Sequence, residues 1–276
     1  MITGASDGIG AALARRVHAT GDRVVVVGRS PAKTAAVAGE LGAPSHVVDY
    51  ARLDQVRDLA SALADLGSID VLVNNAGAWF DKYETTDDGF ERTQQVNFLA
   101  PVLLTSLLAP ALGDAKVVWT GSMSSRWAGR LDVSRLGMDD EAARDTFGTM
   151  RAYGTSKLAL AAWVAKSARG AGANAPSQVV VHPGAVATNF GTNNSGPIGR
   201  LMDSALARAI LTSADAAASR LQRYVDGCPT KDWVPGGYYE IRRCVKRRQL
   251  EDAALGKALT QRTRELLSPF GLRDES

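Results

Sequence analysis

The chain has 276 residues, 45% of them apolar, and a formal net charge of +3 at pH 7, which gives length for one large α/β core but a charge spread too evenly to mark a nucleic-acid partner. The longest apolar stretch, Leu99 to Leu112, is interrupted by Pro101, Thr105, Ser106 and Pro110, so no membrane span is expected. Two cysteines (Cys228, Cys244) and three scattered histidines (His18, His46, His182) form no metal-ligand cluster, and Met1 runs into a glycine-rich turn without a secretory leader, so a cytoplasmic protein with reduced thiols is expected.

Thr3-Gly-Ala-Ser-Asp-Gly-Ile-Gly10 places glycines at 4, 8 and 10 ahead of an apolar-periodic helix (Ala11, Ala12, Leu13, Val17). Such a turn lets backbone N–H groups at a helix N-terminus approach a phosphate, although the spacing is not G-x-G-x-x-G and a plain turn reads equally well. Arg23 to Arg29 is a valine run expected to form a buried parallel strand. It ends in Gly28-Arg29-Ser30, without the acid that would accept a ribose hydroxyl in an NAD site. An arginine there can pair with a 2′-phosphate, which argues for NADP over a merely solvated Arg29 ahead of a helix from Pro31. His46 to Tyr50 predicts a third strand ending in Asp49, followed by a helix over Arg52–Leu66.

Ile69 to Val73 predicts a fourth strand, closed by Asn74-Asn75-Ala76-Gly77. Small and amide residues at a strand's carboxyl end suit a flat polar ligand, or a plain loop. Phe90 to Leu112 is mostly helical and carries Asn97 in apolar surroundings, either as a satisfied structural amide or as the anchor of a water chain. Lys116 to Thr120 predicts a fifth strand, then Gly121-Ser122. The alternation calls for a doubly wound parallel, Rossmann-type sheet.

Residues 126–150 break that rhythm as a polar insertion, a pocket wall or surface decoration. Tyr153-Gly-Thr-Ser-Lys157 then stands at the expected start of an Ala/Leu-rich helix running to about Arg169. The spacing puts phenol and ammonium on one helix face. A neighbouring cation and a helix N-terminus both lower a phenol's pKa, making a proton donor or acceptor usable near neutral pH. Gln178 to His182 predicts a sixth strand leading to Pro183-Gly184 and Thr188, with a glycine- and asparagine-rich flap over 189–210. Two helical stretches to Val225, a last strand over Gly236–Ile241, a solvated basic run Arg242 to Arg248 and a helix over Leu250–Leu267 complete one domain, 1–276, whose C-terminal extension is 242–276.

Thr3-Gly4-x-x-x-Gly8-Ile9-Gly10, Asn74-Asn75-Ala76-Gly77, Ser122, Tyr153-x-x-x-Lys157 and Pro183-Gly184 stand in the order of the short-chain dehydrogenase/reductase family, which the chain resembles over nearly its whole length. The long interval from Ser122 to Tyr153, the Arg130–Leu136 stretch and the ending Gly237-Tyr238-Tyr239 before a helix resemble its retinol-dehydrogenase-like and WW-domain-oxidoreductase-like branch. The alanine- and arginine-rich composition fits a bacterial member, polyketide ketoreductases included. Only Met1 and Ile2 precede Thr3, where the family has most of a central strand. Either the true start lies upstream or a truncated first strand pairs there.

The resemblance implies hydride transfer between NADP(H) and a small-molecule ketone or secondary alcohol. Tyr153 would act as acid or base, Ser122 would position the substrate oxygen, Lys157 would lower the Tyr153 pKa and hold the nicotinamide ribose, and Asn97 would support a water relay behind Lys157. Gly4, Ser6, Gly8, Ile9 and Gly10 would line the pyrophosphate. Arg29 would meet the 2′-phosphate, Asp49 and Tyr50 the adenine, Asn75 a ribose and Thr188 the carboxamide, with Ala76, Gly77, Pro183 and Gly184 also binding the cofactor. No metal is implied, and a homo-oligomer is compatible with it. Trp79, Phe80 and Trp127 would wall a pocket for a bulky apolar substrate, or simply pack. The alternatives are a carbon–carbon double-bond reductase and a low-turnover NADP-binding sensor or scaffold; the complete Asn97, Ser122, Tyr153 and Lys157 set counts against the latter.

Overall fold

The computed structural model describes residues 1–64, 67–137, 146–172, 174–185 and 212–272, with the side chains of 146 and 147 excepted. Thr188 and the expected 189–210 flap lie outside the described residues, as does 138–145 of the insertion. Eight strands form one sheet in the order β3-β2-β1-β4-β5-β6-β7-β8. They are β1 (Ile2–Thr3), β2 (Val26–Gly28), β3 (Ser45–Val47), β4 (Val71–Asn74), β5 (Lys116–Thr120), β6 (Ser177–His182), β7 (Tyr238–Glu240) and β8 (Arg243–Cys244). Neighbours are parallel up to β7, and only β8 turns back antiparallel. Helices on both faces complete the doubly wound arrangement that the alternating pattern predicts.

Period-two alternation along the strands feeds two apolar layers. Val117, Trp119 and Val180 pack into one, and Val118, Val179 and Val181 into the other. Trp119 is fully buried, edge-on to Trp163 with ring centroids 5.6 Å apart, and its indole N–H donates to Gln178 Oε1 at 3.0 Å. That bond matters because a buried polar group without a partner costs about 1–3 kcal/mol.

The first strand is a stub, yet it sits at the sheet's centre and pairs on both sides. Ile2 N donates to Val25 O at 3.0 Å, Val73 N to Met1 O at 2.9 Å and Ala5 N to Val27 O at 2.9 Å. The strand order reverses between β1 and β4, and in open α/β sheets the crevice outside the carboxyl ends at that point receives ligands.

Several boundaries differ from the sequence reading. The valine run forms a strand only over Val26–Gly28, and the last expected strand shortens to Tyr238–Glu240 because the chain reverses at Ile241, a left-handed residue with φ 59°, into β8. The Phe90–Leu112 stretch is a helix from Arg92 to Leu107 with a π-turn at Gln95–Leu99, then a short helix Ala109–Leu112. The helix bearing Tyr153 spans Thr146–Arg169, so Tyr153 stands two turns inside it rather than at its start. Among the described residues no helix is long and apolar enough to cross a membrane.

Candidate active site

The crevice between β1 and β4 opens into a cleft of about 470 Å³. Its floor is a clasp between the two strand ends. Buried Thr3 accepts at Oγ1 from Asn75 N (3.1 Å) and Ala76 N (3.0 Å) and donates to Val73 O (3.3 Å). Asn75 Nδ2 donates to Thr3 O at 3.0 Å, and its Oδ1 accepts from Thr120 Oγ1 at 3.3 Å. Gly4 (φ 64°) and Gly8 (φ 53°) adopt the left-handed region that the turn into the Gly8–Ala19 helix requires. Gly10 has a different reason to be glycine: a Cβ there would drive into the Gly4 carbonyl and lie 2.6 Å from Asn75 Nδ2.

Gly4, Ser6, Gly8, Ile9, Asn75, Ala76 and Gly77 all line this cleft, whereas Gly10 stands behind the turn as a packing residue. Arg29, exposed at the end of β2, forms the far rim with Ser30 and Lys33. Lys33 Nζ lies 2.6 Å from Asp7 Oδ2, the residue that caps the Gly8–Ala19 helix. Asp49 and Tyr50 line the same side just past β3, where Asp49 Oδ1 accepts from Ala51 N at 3.0 Å. Tyr50 is buried, which pushes its phenol up, and its hydroxyl lies towards Thr3 without reaching hydrogen-bond geometry.

At the cleft's inner end Tyr153, Lys157 and Thr120 come together. Lys157, on the same helix face as Tyr153, places Nζ 5.9 Å from the Tyr153 ring centroid and donates to Thr120 O at 2.9 Å. Burial lowers its ammonium pKa to about 8. Burial also pushes the Tyr153 phenol above its usual 10, against a hydrogen bond with Ser122 that lowers it. The expected lowering by Lys157 and a helix N-terminus is therefore overturned: the helix starts at Thr146, and desolvation outweighs the rest.

Asn97 reaches this end through the π-turn. Its side chain is clamped to the backbone of Ala78, accepting from Ala78 N at 2.8 Å and donating to Ala78 O at 2.7 Å. A Cβ on Gly77 would lie 2.7 Å from Asn97 Oδ1 and 3.3 Å from Lys157 Nζ, so glycine there lets the amide and the ammonium converge. Ser122 caps the 3₁₀ turn Met123–Arg126; its Oγ accepts from Ser124 N (3.2 Å) and Ser124 Oγ (2.9 Å). With both acceptor positions used, its own proton is directed elsewhere. Ser122, Asn97, Pro183 and Gly184 do not line the cleft itself. Gly184 (φ 111°) makes room for Arg220, which donates to Pro183 O at 2.6 Å and Thr212 Oγ1 at 3.2 Å.

The sequence profile described as short chain dehydrogenase matches residues 1–131. A Streptomyces sp. (strain C5) protein named as a daunorubicin C-13 ketoreductase is 37% identical over 252 residues, covering 88% of this chain and 83% of that protein. The chain belongs to the short-chain dehydrogenase/reductase family. Retinol dehydrogenase 14 of Mus musculus is 30% identical over 219 residues, covering 72% of this chain and 64% of its own. A solved short-chain dehydrogenase from Burkholderia cenocepacia J2315, in complex with NADP, superposes with a TM-score of 0.65 at 28% identity, covering 87% of this chain and 94% of that one.

In this short-chain dehydrogenase, Asp7, Ser30, Lys33 and Thr120 also line the cleft, and sequence reading missed them. Thr120 could have been found as the last residue of β5, next to Gly121; the Asp7–Lys33 pair joins residues 26 apart and leaves no local signal. Of the three aromatics expected to wall a substrate pocket, Trp79 and Phe80 are buried and only Phe80 lines the cleft, while Trp127 is 69% exposed.

Proposed function

We propose that this short-chain dehydrogenase is an NADP(H)-dependent reductase of ketones, run in reverse as a secondary-alcohol dehydrogenase. The observation that carries the reading is the convergence of the Tyr153 hydroxyl on Ser122, with Lys157 and Asn97 behind them, at the inner end of a cleft whose rim is Arg29.

The residues present fit a nicotinamide dinucleotide phosphate. Gly4 and Gly8, both left-handed, turn the chain into the first helix along the cleft wall, and the bare Gly77 lets Asn97 and Lys157 close on it. The first-turn amides of Ile9 and Gly10 have no acceptor inside their helix and suit a pyrophosphate. Arg29 has no hydrogen-bond or ion-pair partner among the described residues, so its fork is available to a 2′-phosphate. When bound, the cofactor supplies or accepts the hydride.

The chain's own groups then divide the remaining work. Tyr153, held protonated by burial, gives its proton to the carbonyl oxygen. Ser122, its two acceptor positions occupied by Ser124, donates its hydrogen to that same oxygen and steadies developing charge. Lys157 provides a charge near Tyr153 and a donor for a ribose hydroxyl. Asn97 fixes Ala78 and, through Gly77, the approach to Lys157. In this reading 1–276 is one catalytic domain in which Phe80, lining the cleft, favours a bulky apolar ketone.

Tyr153→Phe tests the assignment. NADPH affinity, read by fluorescence titration, stays near wild type, while NADPH consumption with ketones of graded size falls about 10²–10⁴-fold, the range for a lost general acid. Turnover within tenfold of wild type would show that the proton comes from another group.

A further inference from the structure

Gly237-Tyr238-Tyr239 and the arginines after it lie outside the residues that the proposed chemistry uses, yet they grip the turn that carries Ser122. Tyr238 OH, on β7, donates to Ser122 O at 2.8 Å. Ser125 Oγ donates to the same carbonyl at 2.6 Å. Arg247 Nη1 donates to Ser125 Oγ at 2.7 Å, and its guanidinium carbon stands 4.4 Å from the Tyr238 ring centroid. Arg247 also pairs with Glu240 at 2.9 Å, both side chains being about 15% exposed or less. Glu240 takes Arg126, the last residue of the serine turn, as a second partner. On its other edge the Tyr238 ring lies against Gly121, where a Cβ would come 3.2 Å from Tyr238 Cε2.

The turn is thus held at its first residue (Ser122 O), its middle (Ser125 Oγ) and its last (Arg126). Each hold leads to β7 or to the segment just after β8. A carbonyl bonded by two hydroxyls fixes the peptide plane after Ser122, and with it the direction in which Ser122 Oγ projects.

We infer that Tyr238 and Arg247 are positioning residues for Ser122: β7 and the segment just after β8 act as a strap that aims the serine hydroxyl at the substrate oxygen. The inference rests on the proposed role of Ser122. It also gives the basic run a division of labour, in which Arg247 turns inward while Arg242, Arg243, Lys246 and Arg248 stay exposed.

Tyr238→Phe removes only the hydroxyl, and Arg247→Met removes the guanidinium while keeping much of the bulk. For each, kcat with an accepted ketone is expected to fall about tenfold, equivalent to about 1.4 kcal/mol, with NADPH affinity unchanged. The isotope effect from nicotinamide-deuterated NADPH is expected to rise as hydride transfer becomes slower relative to product release. Arg247→Lys, which can still stack on Tyr238 but has no fork, lies between. A merely structural strap would lower the active fraction and leave the isotope effect alone. Amide hydrogen exchange supplies a readout independent of turnover: peptides covering 121–128 exchange faster in Tyr238→Phe while those of the 153–169 helix do not change. Unaltered exchange at 121–128, or kcat and isotope effect both equal to wild type, overturns the strap. Ser122→Ala separates the two ideas, since full turnover in that variant removes the proposed role of Ser122 itself. Loss of turnover there beside a normal Tyr238→Phe removes the strap alone.

Discussion

Lys157→Met isolates what it costs this protein to bury an ammonium. Lys157 is 3% exposed, and burial lowers its pKa from the usual 10.5 to about 8. Below pH 8 both folded and unfolded chains carry the proton, and the folded state bears the full desolvation penalty. Between about pH 8 and 10.5 the unfolded chain holds more protons than the folded one, so this residue makes stability rise with pH there. A fall from 10.5 to about 8 corresponds to roughly 3 kcal/mol at about 1.36 kcal/mol per pKa unit, an upper figure because structure and water relax around the charge. Methionine has similar length and no charge, and its loss of the bond to Thr120 O is a pH-independent penalty. Urea unfolding of wild type and variant without nucleotide, at pH 7 and pH 10, gives the double difference in which other titrating groups cancel. The wild type should gain on the variant by about 1–3 kcal/mol between the two pH values. A stability difference that stays flat across this interval would refute the claim that Lys157 is held at a penalty.

Thr3→Val keeps shape but strips the acceptor from Ala76 N, while Asn75 N keeps its second acceptor, Val73 O; the expected loss is about 1–3 kcal/mol in urea unfolding, for one donor left without a partner, with weaker NADPH binding. Arg29→Asp should cut the NADPH-over-NADH ratio of kcat/KM by about 10–100-fold, the range of one charged hydrogen bond, and an unchanged ratio would remove Arg29 from 2′-phosphate recognition. Gly10→Ala should unfold at least about 1–3 kcal/mol more easily, the usual range for overpacking, because its Cβ would meet the Gly4 carbonyl and Asn75; thermal melts decide this.

What could be read in the sequence was whatever is carried by spacing within one element. Tyr153 and Lys157 meet because one helix face repeats every three to four residues, and the valine runs place themselves in a parallel sheet. Misreadings arose where tertiary contact set the local structure. The expected helix start at Tyr153 lies well inside the Thr146–Arg169 helix, where Gly154 packs so closely that a Cβ would come 2.7 Å from Ser124 O. Arg247 looks solvated within its basic run, yet it turns inward to Tyr238 and Glu240. The Tyr238–Ser122 bond joins residues 116 apart, and a pairing at that range has no signature in either segment. The sign of the Tyr153 shift was misjudged for the same reason, since neighbours in sequence say nothing about burial.

The π-turn at Gln95–Leu99, where Ala100 N–H bonds the Gln95 carbonyl, means that this helix holds one residue more than regular winding would need. Each helical residue advances the rotation by about 100°. Deleting any one residue between 95 and 99 would therefore let the helix rewind as ordinary α-helix, an outcome that favours local hydrogen bonding but swings one end of it by about a quarter-turn relative to the other. Asn97 and the Gln95–Tyr50 bond could not then both keep their partners. Length in this stretch is consequently under tighter constraint than composition: substitutions at 96, 98 or 99 that preserve bulk can be absorbed, whereas a single-residue shortening would disconnect the amide beside Lys157 from the loop that walls the cleft.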